Sequence, residues 1–89
     1  MPTISMFYGI LVTLFYEDNK RHHTPHFHVR YQGSKASIAI DDGRVLAGAI
    51  PGKQLKLVQA WVELHRDELL ANWELVTNGE APFRIAPLQ

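Results

Sequence analysis

The chain has 89 residues, 46% of them apolar, with nine Lys and Arg against nine Asp and Glu, five His and no Cys. A chain this short has interior for one core, which excludes two domains. The balanced charge argues against a strongly basic nucleic-acid module, and the absence of cysteine removes disulfides, thiolate metal sites and thiol nucleophiles. No Lys or Arg precedes Lys20, and the apolar run over residues 10–15 is far below the ~20 residues of a membrane span, so a cytoplasmic protein with no membrane segment is expected.

Residues 7–17 are rich in aromatic and branched side chains and read as one strand covered on both faces. Residues 26–32 alternate: Phe27, Val29 and Tyr31 share one face, His26, His28 and Arg30 the other. Gly33-Ser34 fits a two-residue turn, residues 35–41 alternate again, and Asp42-Gly43 is the strongest hairpin signal in the chain. Two such turns would set Phe27 opposite Ile40, Arg30 opposite Ser37 and His26 opposite Asp41. Val45, Ala47 and Ala49 then continue the apolar face, leaving Leu46, Gly48 and Ile50 outside with His28 and Arg30.

From Lys53 to about Asn78 the apolar spacing becomes helical: Leu55, Val58, Val62, then Leu69, Leu70, Trp73 and Val76. A straight helix of that length would run ~39 Å, longer than a domain this small accommodates, so a break is expected near His65-Arg66-Asp67, with Asp67 as a cap. Trp61 and Trp73 read as core anchors and His65 as a hydrogen-bonded core histidine. Asn78-Gly79 stops the helix, and residues 83–86, between Pro82 and Pro87, read as a short edge strand. The expected fold is α+β: a four-stranded antiparallel meander with one kinked helix or two short ones packed on its apolar face.

Chemistry is concentrated in His22-His23-Thr24-Pro25-His26-Phe27-His28, which holds four of the five histidines. His26 and His28, two apart on a strand, project from one face ~6.6 Å apart at the backbone, and His22 or His23 can add a third nitrogen to a zinc site. Without metal, the same imidazoles can trade protons at a phosphodiester, with Asp41 orienting His26 and Arg30 or Arg44 steadying charge. The alternative to either is a polar surface that binds a partner.

The segment Thr24-Pro-His-Phe-His-Val-Arg-Tyr, the Asp42-Gly43 turn with Val45-Leu46, Ile50-Pro51, and the run Trp61-Val-Glu-Leu-His-Arg-Asp-Glu-Leu-Leu-Ala-Asn-Trp-Glu together resemble the bacterial family DUF4160. His22, Pro25, His26 and His28 match its His…Pro-His-Phe-His positions. Thr24 departs from the two successive prolines usual there, which loosens the entry to the strand. The resemblance implies a small prokaryotic cytosolic protein whose gene lies beside that of another small domain, as in a toxin–antitoxin-like pair, and it carries no catalytic assignment. The leading expectation is therefore a binding module for a small protein encoded nearby, with His22, Arg30, Arg44 and Leu46 at its surface. The runner-up is a histidine-based nuclease-like or metal-assisted hydrolase centred on His22, His26 and His28. Nucleic acid is a further candidate ligand that the net charge does not favour, and the edge of the meander leaves a homodimer open.

Overall fold

In a computed structural model, which describes residues 2–15 and 24–89, the chain forms one five-stranded antiparallel sheet followed by one helix. The strands are β1 (Thr3–Phe7), β2 (Ile10–Thr13), β3 (His26–Tyr31), β4 (Ser34–Ala39) and β5 (Val45–Ala49), and they lie in the sheet in chain order. The helix α1 spans Gly52–Thr77. The α+β meander is thus as expected, with one strand more.

The extra strand comes from the segment read as a single strand over 7–17. Phe7 pairs with Ile10, and Tyr8 and Gly9 between them both take positive φ (48° and 77°), the signature of a type I′ hairpin turn. An uninterrupted apolar run hides such a turn, because Tyr8 is itself a good strand residue.

The β3–β4 turn is also shifted. Its central residues are Gln32 and Gly33 (φ 47° and 85°), not Gly33 and Ser34, so Tyr31 pairs with Ser34, Val29 with Ala36 and Phe27 with Ile38. Sliding the turn by one residue moves every partner by two. The same side chains stay on the same faces, so alternation cannot distinguish the two registers. One consequence matters for the site: the residue opposite His26 is Ala39, not Asp41.

The Asp42-Gly43 connection is longer than a two-residue turn. The amide of Ala39 donates to the Arg44 carbonyl and that of Gly43 to the Ala39 carbonyl (both 2.9 Å), which closes a loop over residues 40–43. Gln59 donates to the Gly43 carbonyl and Arg66 Nε to the Ile40 carbonyl (both 3.0 Å), tying this loop to α1. A bulge follows in β5: Ile38 pairs with Val45 but Ser37 with Ala47, so Leu46 is the extra residue. The bulge reverses the faces beyond it. Ala47 and Ala49 lie with Ser37 and Lys35 on the outer face, Gly48 lies opposite Ala36, and Ile50 is buried in the core instead of standing outside.

The core lies between the sheet and α1. Ile4, Phe7, Ile10, Val12, Phe27, Val29 and Ile38 meet Val58, Trp61, Val62 and Leu69. Trp61 is fully buried, with its ring 5.3 Å from Phe7 and 5.7 Å from Phe27; Trp73 is half-buried against the same cluster. The helix is kinked at His65 (φ −125°, ψ 23°) and continues through Asp67, which therefore caps nothing. The longest dimension of the fold is 33 Å, shorter than the ~39 Å of a straight 26-residue helix, and the kink keeps α1 on the sheet. His65 packs its ring against Trp61 and bonds the Glu68 carboxylate. The helix ends with Gly79 N–H bonding the Val76 carbonyl and Glu80 N–H the Leu75 carbonyl, the Schellman pair of bonds. No helix among the described residues is long and apolar enough to cross a membrane.

Residues 83–86 do not form a strand. The tail runs beside β1 with one backbone bond, Ile85 N–H to the Ile4 carbonyl (2.8 Å), and side chains of α1 hold it in place. Fully buried Asn72 bonds Phe83 twice, Nδ2 to its carbonyl (2.8 Å) and Oδ1 from its amide (2.9 Å), while Trp61 Nε1 donates to the Ala86 carbonyl (2.8 Å). Pro82 and Pro87 remove donors that a ladder would need. Asn72→Ala strips both bonds from Phe83 and is expected to lower stability by about 2–3 kcal/mol in urea unfolding. It should also speed amide exchange at Ile85; an unchanged midpoint would mean the tail contributes nothing.

Candidate functional site

The sheet face away from α1 is built by the outward positions of β2 to β5. Register places them in two rows across the strands. One row is Leu11, Arg30, Lys35 and Ala49; the next is Thr13, His28, Ser37 and Ala47. Alanines at the β5 end of both rows leave room above the sheet. The result is a groove of about 390 Å³, with Phe15 beside its second row. A volume of that order suits a small ligand or the side chains of a docked segment.

His28 is fixed by two neighbours. Its ring stacks on Phe15 (centroids 4.3 Å apart, planes at 10°), and its Nδ1 shares a 3.2 Å hydrogen bond with Ser37 Oγ. Arg30 and Lys35 stand directly opposite one another and are exposed. Like charges across a strand pair repel. Among the described residues, the groove lining contains no Asp or Glu to offset them.

His26 shares the outward parity of His28, and the two rings lie 5.2 Å apart, while Phe27 between them is fully buried. His26 is nevertheless only 2% exposed: it packs against Trp73 (5.1 Å) and its Nδ1–H donates to the Thr24 carbonyl (2.9 Å). His22 lies outside the described residues. Among the described residues no group of three His, Asp or Glu side chains is placed to hold a metal ion. A zinc site at His26 and His28 would therefore need a further ligand from outside the described residues, such as His22 or His23.

Asp41 and Arg44 belong to a different cluster. Arg44 Nη1 bonds Asp41 (3.1 Å) and Asp42 (3.0 Å), and Asp42 Oδ1 accepts the Arg44 amide (3.0 Å). The orienting pair expected between Asp41 and His26 does not form, because the register places Ala39 there. Leu46, at the bulge, is half-buried and does not line the groove. Of the described site candidates, the groove brings together His28 and Arg30. Ser37, expected opposite Arg30, stands opposite His28 instead; Lys35 takes its place, which correct pairing of β3 with β4 would have found, and Phe15 comes from beyond β2, where strand pairing gives no signal.

The 41–44 cluster has a pH signature. The Arg44 amide, and then its guanidinium, hold the Asp42 carboxyl below the usual carboxylate range; Arg66 does the same for Glu63. A carboxyl lowered on folding contributes stability above its unfolded pKa, and that contribution is lost as pH falls through the folded value. The contribution of these two pairs should therefore hold between pH 7 and 5 and be lost below about 4, as Tm measured against pH in the wild type and in Asp42→Asn would read. Both groups are exposed, so the effect is modest and weakens with salt. Asp42→Asn should flatten the acid slope; an unaltered slope would place the acid sensitivity elsewhere.

The sequence profile of the family described as "Domain of unknown function (DUF4160)" matches residues 9–74. The chain belongs to the DUF4160 family. The match runs from the β1–β2 turn to the last turns of α1, so it includes every strand that builds the groove. No curated protein and no solved structure matches the chain.

Proposed function

We propose that this DUF4160 protein is a binding module whose outer sheet face docks a small protein partner encoded beside it, as in a toxin–antitoxin-like pair. The observation that supports this is the makeup of the groove: an apolar surface at Leu11, Phe15 and Ala47 next to two cations, Arg30 and Lys35, with no carboxylate among the described residues of the lining. Such a surface favours a partner segment that is apolar and acidic, since complementary charge speeds encounter and rejects basic partners. Arg44 is a weaker anchor because two aspartates already occupy it.

The test is a calorimetric titration of the full-length protein with the product of the adjacent gene. Arg30→Glu/Lys35→Glu is expected to weaken the complex at least tenfold. Leu64→Asp, at an exposed position of α1, should leave it unchanged. No complex, or a complex lost through Leu64 and kept by the charge-reversed protein, overturns the reading.

A further inference from the structure

The placement of Arg30 directly opposite Lys35 is costly for the free protein, and the described residues of this face offer no carboxylate to relieve it. The ion pairs among the described residues lie elsewhere, in the 41–44 loop and between residues 63 and 68 of α1. Behind the two cations, one strand repeat away, stand Thr13, His28 and Ser37. We infer that the Arg30–Lys35 pair and the Thr13–His28–Ser37 row form a seat for the phosphate group of a small phosphate ester, whose apolar body lies toward Leu11 and Phe15. The inference rests on the reading of this face as a binding surface, and it names a second occupant that would compete with the partner protein.

The donor arrangement favours phosphate over carboxylate. A carboxylate presents two oxygens in one plane, enough for one guanidinium. Here a guanidinium, an ammonium and two hydroxyls come from two adjacent rows on three strands. A tetrahedral dianion can accept from both rows at once. The aromatic ring of Phe15, held against His28, supplies the apolar side of the same groove. A phosphate on an aromatic or aliphatic body therefore fits better than inorganic phosphate alone.

The test follows backbone amide NMR signals while the full chain is titrated with inorganic phosphate, phenyl phosphate and a short single-stranded DNA, each against potassium chloride of equal ionic strength. Saturable shifts at residues 28, 30, 35 and 37 are expected, with phenyl phosphate binding several-fold tighter than phosphate. Arg30→Gln/Lys35→Gln should weaken it at least tenfold, with unchanged signals from Phe27 and Val29 reporting an intact fold. Shifts that potassium chloride reproduces, shifts scattered over the molecule, or undiminished binding by the double variant overturn the inference. DNA binding tighter than phenyl phosphate would overturn the small-ligand assignment in favour of nucleic acid. The two readings separate cleanly. Phenyl phosphate binding with a partner complex indifferent to Arg30→Gln/Lys35→Gln sinks only the partner reading; a partner complex that needs both cations, with no phosphate binding, sinks only this one.

Discussion

Gly48→Ala is expected to destabilise the fold by about 3–5 kcal/mol, against a total stability of about 4–13 kcal/mol for a domain of this length. Two causes combine. Gly48 sits in β5 with φ +75°, where a β-carbon costs about 1–2 kcal/mol. A β-carbon there would also lie 2.3 Å from the Lys35 carbonyl oxygen, a backbone atom that cannot swing aside. Relieving the clash means parting β5 from β4 and losing ladder bonds worth about 1 kcal/mol each. Gly33→Ala isolates the first cause, because Gly33 has a similar φ of +85° and nothing within 4 Å of the added carbon. Urea unfolding of both variants decides the matter: equal losses would show that the close approach at Gly48 is not a constraint. The groove depends on the same contact. A β5 displaced at Gly48 carries Ala47 and Ala49 with it, so Gly48→Ala should also blunt ligand binding in whatever fraction remains folded.

Most of the fold could be read from spacing. The faces of β3 and β4 follow from strict alternation, which buries Phe27, Val29 and Ile38 and turns Arg30 outward, as the structure has it. The helical period from Lys53 and the break near His65 follow from side-chain spacing and the size of the domain. What alternation could not supply was partner identity. It is blind to a register change of two, and so it sets His26 against Asp41 where the structure has Ala39, and Arg30 against Ser37 where the structure has Lys35. A bulge defeats it differently: one extra residue at Leu46 exchanges the faces of everything after it, and Ile50 goes inside. The candidate site suffered more than the core. Burial depends on which face a residue takes, whereas a constellation such as Arg30, Lys35, His28 and Ser37 depends on which residue stands across the strand.

Trp61→Ala is expected to cost about 3–5 kcal/mol, the range for emptying a large aromatic site, and to leave the protein marginal at 37 °C. Trp61 reaches sheet, helix and tail. Its ring lies against Phe7 of β1 and Phe27 of β3, it belongs to α1, and its indole N–H holds the tail at Ala86. Trp61→Phe separates packing from tethering. It retains most of the aromatic volume and loses the 2.8 Å bond, so it should cost about 1–2 kcal/mol. Its effect on dynamics should be local: amide exchange rises at Ile85, whose bond to Ile4 the tether supports, while the Asn72 clamp keeps Phe83 in place. Equal destabilisation by the Phe and Ala variants would place the energy in the tether instead of the core. That result would also make the tail, which meets the sheet through one backbone bond at Ile4, a principal support of β1.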